Sequence, residues 1–179
     1  ENTLYLNTAT QQTTIALYGD NKVLAENRWP SLHDEAEKLQ PAVDELLSSN
    51  KLSPDDIGRL IVCVGPGGFT SVRIGVSAVN VWSFAKQIPI AAVSIFDLYP
   101  SSEAIVVVSA NSNEAWLKFP GKDPQWIHQE HLKLLPSFSY VGIINDAWKK
   151  ILNDLGGNFL DLSEALPKID ALFFEQQVI

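Results

Sequence analysis

The sequence predicts an α/β fold built on a mixed sheet. Three observations carry that expectation. Three β-type runs follow one another at the N-terminus before any helix. Two segments with helical apolar spacing come next, each succeeded by a short, wholly apolar run. A glycine loop, VGPGGFTSVRIG (Val64–Gly75), joins the first of those apolar runs to the second helical segment. A meander followed by strand–helix–strand units requires antiparallel and parallel pairs in one sheet, with helices on its faces.

The elements follow in order. Leu4–Leu6 is a short apolar strand, and Thr13–Tyr18 (TTIALY) is β-branched and aromatic, as strands prefer. Gly19–Asn21 (GDN) marks a turn, after which Lys22–Trp29 alternates as a third strand. A helix is expected between His33 and Asn50, where Ala36, Leu39, Val43, Leu46 and Leu47 share a helical face. Pro41 should kink that helix or mark where its regular part begins. Ser53–Asp56 (SPDD) carries the capping serine, the early proline and the acids of a helix start. Leu60–Val64 and Ile90–Val93 are apolar on both faces and read as buried strands. Between them Val72–Gln87 reads as a helix, ended by Pro89.

The first 93 residues thus read β-β-β-α-β-α-β. Phe96–Glu103 is a junction. Ala104–Ser109 begins a second lobe as a strand, with Ala115–Phe119 as its hairpin partner and Tyr140–Ile144 as another strand. Asp146–Leu155 should be a helix closed by Gly156 and Gly157. Helical spacing returns after Ser163, at Leu166, Ile169, Leu172 and Phe173. No internal repeat is visible. The expected division is residues 1–98 and a shortened second lobe, residues 99–179.

Composition narrows the function. Hydrophobic residues make up 46% and charged residues 19% of the 179, enough apolar surface for a core. No apolar run reaches the length of a membrane span, and no leader pattern points to secretion. Cys63, the single cysteine, lies in an apolar strand and is read as a small hydrophobe, which excludes a disulfide framework and a cysteine metal cluster. A reducing, cytoplasmic setting is expected. The net charge is −8, so the chain lacks the Lys and Arg surplus that binds phosphate backbones. Contact with nucleic acid should fall to another protein. The chain has no methionine, even at position 1; a trimmed sequence, or one from which methionines have dropped out, is expected.

Two segments are candidates for chemistry. Gly65, Gly67 and Gly68 can bring backbone N–H groups close to an anion, and the helix that follows favours one at its N-terminus. The loop lacks the GK[ST] ending of a P-loop and is not GxGxxG after a first strand. Its readings are a phosphate cradle or a tight structural turn, the second favoured. Arg73 either binds an anion or pairs with a carboxylate such as Asp97 to fix the loop, again the second favoured. The other candidate is the turn Leu6–Thr14; many phosphotransferases hold a metal-bound nucleotide with a strand that ends in Asp followed by Thr, Ser or Gly residues. Here the slot holds Asn7, whose amide neither neutralises a metal nor acts as a base. Thr8 and Thr10 could bond a phosphate or simply cap the turn.

The histidines His33, His128 and His131 are scattered. His128 and His131, spaced to share a helical face near Glu130, lack the further ligand that zinc needs. No nucleophile elbow or HExxH supports a peptidase. Asp44, Glu45, Asp55 and Asp56 read as a solvated acidic surface. The second helix is different. Val72, Ile74, Val76, Val79, Val81, Trp82, Phe84 and Ala85 nearly encircle it, so it should be buried on more than one side. The sheet covers one side and a partner chain could cover the other.

GPGGFTSVRIG closely resembles the GPGSFTGLRIG signature of the TsaB (YeaZ) family. LYLNTATQQTTIALY, KVLAENRWPSLHDEAEKLQPAVDELL, AKQIPIAAVSIFDL and SANSNEAWLKF resemble further family segments in the same order. The resemblance is strong over roughly residues 3–98 and collinear beyond. It implies an actin-like (sugar kinase/Hsp70/actin) fold of two lobes. It also implies a non-catalytic scaffold that pairs with the TsaD ATPase to make N6-threonylcarbamoyladenosine (t6A) at position 37 of tRNA. A second ATPase, TsaE, joins that pair, and tRNA is met only indirectly. No cofactor, metal or catalytic residue is implied. The family's partner surface lies on the two helices of the first lobe, which places it here at His33, Leu39, Val43, Leu46, Val72, Val76, Val79 and Asn80. Without the partner, family members often self-pair through the same surface.

Under this resemblance Gly65, Gly67, Gly68, Phe69, Thr70 and Arg73 form a structural or vestigial phosphate loop, and Asn7, Thr8 and Thr10 a vestigial nucleotide turn. Asn7 replaces the family's usual Asp, Ser71 replaces a Gly, and Asn111 and Asn113 stand where a basic pair is usual. These departures argue against a working nucleotide site. The alternative function is an active ATPase or sugar-kinase-like phosphotransferase.

Overall fold

A computed structural model describes residues 1–99, 103–133, 137–172 and 174. The chain divides into two compact units. Glu1–Ser94 form the first, together with the segment that begins at Leu166; Ile95–Ala165 form the second. This differs from a division at residue 98 in sending the end of the chain back to the first unit. The reason is polar as well as apolar. The Tyr18 hydroxyl donates to the Pro167 carbonyl at 3.1 Å, and the Asn21 amide donates to Asp170 at 2.6 Å.

The first unit is built on a five-stranded sheet. Its strands are β1 (Asn2–Asn7), β2 (Gln12–Gly19), β3 (Lys22–Pro30), β4 (Ile57–Cys63) and β5 (Ile90–Val93), and its helices are α1 (Glu35–Ser49) and α2 (Phe69–Lys86). The order across the sheet is β3-β2-β1-β4-β5. β1 to β3 form the antiparallel meander, with Leu4 opposite Leu17, while β4 joins β1 in parallel, Leu4 beside Leu60. Asp20 and Asn21 close the β2–β3 hairpin with positive φ of 47° and 63°, which such residues tolerate and this turn requires. Leu4, Leu6, Ile15 and Leu17 alternate onto one face, where they pack with Leu39, Val43 and Leu47 of α1 and Val79 of α2. Tyr5, Ala16 and Ile61 point the other way and are buried too, which explains the unbroken apolar runs.

The β-β-β-α-β-α-β order is as the sequence predicts. Pro41 sits inside α1, on its exposed side, so the helix continues through it. SPDD forms only one 3-10 turn, Pro54–Asp56. The Asp56 carboxylate accepts from the backbone N–H and hydroxyl of Ser53, at 2.7 and 2.8 Å. α2 starts at Phe69, three residues earlier than expected, because Phe69 and Thr70 are exposed and the buried Ser71 is not apolar, so the first turn gives no apolar period.

The second unit is another five-stranded sheet, ordered β10-β9-β6-β7-β8. Its elements are β6 (Ile105–Ser109), β7 (Glu114–Lys118), β8 (Gln125–His128), β9 (Phe138–Ile143), α3 (Asp146–Asp154) and β10 (Gly157–Phe159). β6, β7 and β8 form an antiparallel meander, β9 joins β6 in parallel, and β10 follows β9 through α3. The first sheet's plan is thus repeated, an internal repeat carried by topology and invisible in the residues. Trp148 and Leu152 of α3 close a core with Val107, Leu117 and Tyr140.

Several expectations are corrected here. Gly157 opens β10 rather than closing a helix. After Ser163 the described residues form only a 3-10 turn, Ile169–Ala171, and Phe173 lies outside them. His128 ends a strand and His131 ends a 3-10 turn, so no helix presents them together. Among the described residues, no helix is long and apolar enough to cross a membrane.

Candidate functional site

The turn after β1 and the glycine loop after β4 meet because β1 and β4 are parallel neighbours, so both strands end on the same edge of the sheet. Asn7 is fully buried there. Its Oδ1 accepts from the Ala9 N–H at 2.9 Å, while its Nδ2 is buried without a partner. The Thr8 hydroxyl donates to the Ser71 carbonyl at 2.5 Å and the Thr10 hydroxyl donates to the Gln12 carbonyl at 2.6 Å. Both threonines are therefore turned to their own chain.

Gly67 lies directly against this turn. A Cβ added to it would come within 2.1 Å of the Ala9 carbonyl oxygen. The Gly68 N–H donates to that same oxygen at 3.3 Å. An anion seated on the loop would have to displace a carbonyl that already presents negative charge to it. Gly65 has φ of +89°, which lets the chain leave β4, and Gly75 gives room to Thr8, whose Oγ1 would stand 2.5 Å from a Cβ there. Ser71 donates to the buried Glu35 carboxylate at 3.3 Å, tying α2 to the start of α1.

The Arg73 guanidinium stacks 3.7 Å from the centroid of the Phe69 ring; within the second unit Asp97 receives Lys118 at 3.2 Å. The reason is local: residues 69 and 73 are one helical turn apart on one face of α2. His128 and His131 lie with ring centroids 6.0 Å apart, and among the described residues no group of three or more His, Cys, Asp or Glu could hold a metal.

Of the residues expected to meet a partner, Leu39, Val43, Leu46 and Val79 are at most 8% exposed and belong to the unit's own core. They offer a partner nothing. Val72, Val76 and Asn80 are half-buried and His33 is exposed; Thr70, of the glycine loop, is exposed as well. The inner stripe of α2 is Ser71, Gly75, Val79 and Ser83, small residues that bring the helix close to the sheet and α1. The outer stripe carries Phe69 at 71% exposed, Arg73, Val81 at 63% and Phe84 at 72%. α2 is thus buried on one side only. The sequence pattern includes Val81 and Phe84 but does not turn them outward, because an all-round apolar helix does not reveal which side the sheet takes. The small residues at four-residue steps were the available signal.

The model of TsaD, tRNA N6-adenosine threonylcarbamoyltransferase, matches residues 31–110. Over 91 residues the chain is 34% identical to the tRNA threonylcarbamoyladenosine biosynthesis protein TsaB of Bacillus subtilis (strain 168), covering 51% of this chain and 40% of that one. Against the Escherichia coli (strain K12) protein of the same name it is 33% identical over 92 residues, covering 51% and 39%. Among solved structures, YeaZ from Pseudomonas aeruginosa superposes with a TM-score of 0.66 at 22% identity, over 79% of this chain and 76% of that one. Over the matched stretch the chain is similar to the TsaB (YeaZ) proteins, and it shares the fold of the YeaZ structure.

The repeated sheet plan is accordingly that of the actin-like fold. The matched stretch spans about 40% of these two TsaB relatives' length. Asn7 and Ser71, where the chain departs from the signature it resembles, both make contacts in the structure. Asn7 makes a turn with Ala9 that needs only its carbonyl oxygen, and Ser71 supplies the hydroxyl that meets Glu35.

Proposed function

We propose that the chain is a non-catalytic scaffold subunit in t6A modification of tRNA. It pairs with a TsaD-type ATPase through the outer face of α2, in the cytoplasm. Three features support the reading: the names of its TsaB relatives, the loop closed against Ala9, and the amide at position 7. The observation that carries the partner surface is the outer stripe of α2. Phe69, Arg73, Val81 and Phe84 share one helical face, and two of them are aromatic rings more than two thirds exposed. Exposed aromatics beside an arginine are the usual anchors of an interface, and leaving such rings in water has no benefit for the fold. In this reading a TsaE-type ATPase joins through the complex, a self-pair forms by the same face when the chain is alone, and tRNA is held by the partner. No observation favours a phosphotransferase, whose metal would need a carboxylate where Asn7 stands.

The test is light scattering of the chain mixed with the TsaD-type protein of the same organism. A one-to-one complex is expected. Val81→Glu or Phe84→Glu should abolish it while circular dichroism stays unchanged. No complex with the unaltered chain, or undiminished affinity in both variants, overturns the reading.

A further inference from the structure

A second exposed aromatic group lies on the other unit and does not depend on the reading of α2. In β7, Ala115 and Leu117 point into the core with Trp148, while Glu114, Trp116 and Lys118 point to the opposite face. Trp116 pairs directly with Trp126 of β8, and Glu114 with His128. The two indoles meet nearly at right angles, 73° between planes and 5.3 Å between centroids, and Trp126 is 47% exposed. The Glu114 carboxylate closes the corner: Trp126 Nε1 donates to it at 3.3 Å and Asn111 Nδ2 at 2.9 Å.

We propose that this corner binds an arginine side chain of a protein partner. Two indole faces and a carboxylate all present negative potential, on a chain whose net charge is already −8. Among the described residues the cations over aromatic rings are Arg59, Arg73 and Lys149, none of them over Trp116 or Trp126. Lys118, next along the same face, is drawn to Asp97. A guanidinium suits the corner better than an ammonium, because its plane stacks on one indole while its fork bonds a carboxylate.

The corner is also held ready. Asn111 Oδ1 accepts from the N–H of Asn113 and of Glu114, and the Asn145 side chain donates to the Asn111 carbonyl. Gln129 Nε2 bonds Asn113 from the strand-end side. These bonds hold Glu114 against Trp126, and the donors lower the carboxyl's pKa, Asn111 first and Trp126 second. Binding there would cost little reorganisation.

The experiment follows the indole N–H resonances of the whole 15N-labelled chain, assigned by single Trp→Phe variants. The probe is N-acetyl-arginine amide, with N-acetyl-lysine amide, maltose and a short oligouridylate as the other arms. Saturable shifts of Trp116 and Trp126 with the arginine probe are expected, and none at Trp148. Glu114→Gln should weaken the binding roughly fivefold or more, and Trp126→Phe should weaken it less. The proposal is overturned if the arginine probe moves neither indole, or if both variants titrate as the unaltered chain does. It is also overturned if maltose or oligouridylate shifts those indoles at concentrations where the arginine probe does not.

Discussion

Gly67 and Ala9 stand so close that the Ala9 carbonyl oxygen would be 2.1 Å from any Cβ at position 67. The obstacle is backbone and cannot swing away. The contact joins the β1 turn to the glycine loop, where the Gly68 N–H also donates to the Ala9 carbonyl. Gly67→Ala should therefore cost about 2–4 kcal/mol, measured as a lower urea midpoint. Gly68→Ala is the control. Its Cβ would meet only the Ser71 side chain, at 3.6 Å, and its φ of −58° suits alanine. A Gly68→Ala loss equal to that of Gly67→Ala would show that the loop needs glycine for a different reason.

Val79 and Val81 divide α2 between fold and surface. Val79 is fully buried and Val81 is 63% exposed. Val79→Glu places a carboxylate in the apolar core without a partner and should cost at least about 3 kcal/mol. Val81→Glu should change stability by no more than about 0.5 kcal/mol. Thermal melts of the two variants decide the matter; equal melting temperatures would mean that α2 is rotated from the face described.

The order of elements in the first unit was legible because each carries its own period. β2 alternates or is β-branched, α1 repeats Leu39, Val43 and Leu46 on one face, and the Gly65–Gly68 loop separates β4 from α2. What was not legible lay between elements far apart in sequence. No pattern links Tyr18 to Pro167, so the return of residues 166–172 to the first unit could not be read. β8 begins with Gln125 and Trp126, both exposed, and gives no apolar alternation; its evidence is its pairing with β7. At the candidate site the glycines and Arg73 were visible. The stacking of Arg73 on Phe69 depended on where α2 begins. The inner face of α2 is written in Ser71, Gly75 and Ser83, residues that a search for apolar spacing passes over.

Burial raises the Tyr18 pKa, and the Glu26 carboxylate adds to the effect. The sign follows from linkage. An ionisation disfavoured in the folded chain occurs first in the unfolded chain, whose tyrosines titrate near 10. The stabilising contribution is complete below that pH and is lost as pH rises above it. Stability measured by urea unfolding should therefore be flat with respect to Tyr18 at neutral pH and fall above about pH 10. Tyr18→Phe should make that alkaline slope shallower and, by removing the bond to Pro167, cost about 1 kcal/mol at pH 7. Tyr140, also raised by burial, adds to the slope, so Tyr140→Phe should account for part of what remains. An unaltered slope in Tyr18→Phe would refute the assignment.

Asn7 offers the sharpest division between scaffold and phosphotransferase. Asn7→Asp keeps the oxygen that accepts from Ala9 and replaces the unpartnered Nδ2 with a second carboxylate oxygen. The new charge would be fully buried, and among the described residues no ion pair reaches that position. In a scaffold it has no compensating cation, so the variant should lose about 2–4 kcal/mol at pH 7 and regain part of it as acid protonates the carboxyl. In a phosphotransferase relative the same acid would complete a metal site, and millimolar Mg²⁺ with ATP would restore stability by mass action. Thermal melts of Asn7→Asp with and without Mg²⁺ and ATP are the check. The scaffold reading expects the same depressed melting temperature in both. A rise confined to the metal-nucleotide sample would mean that the turn still accepts a nucleotide and that the Ala9–Gly67 contact opens to admit it.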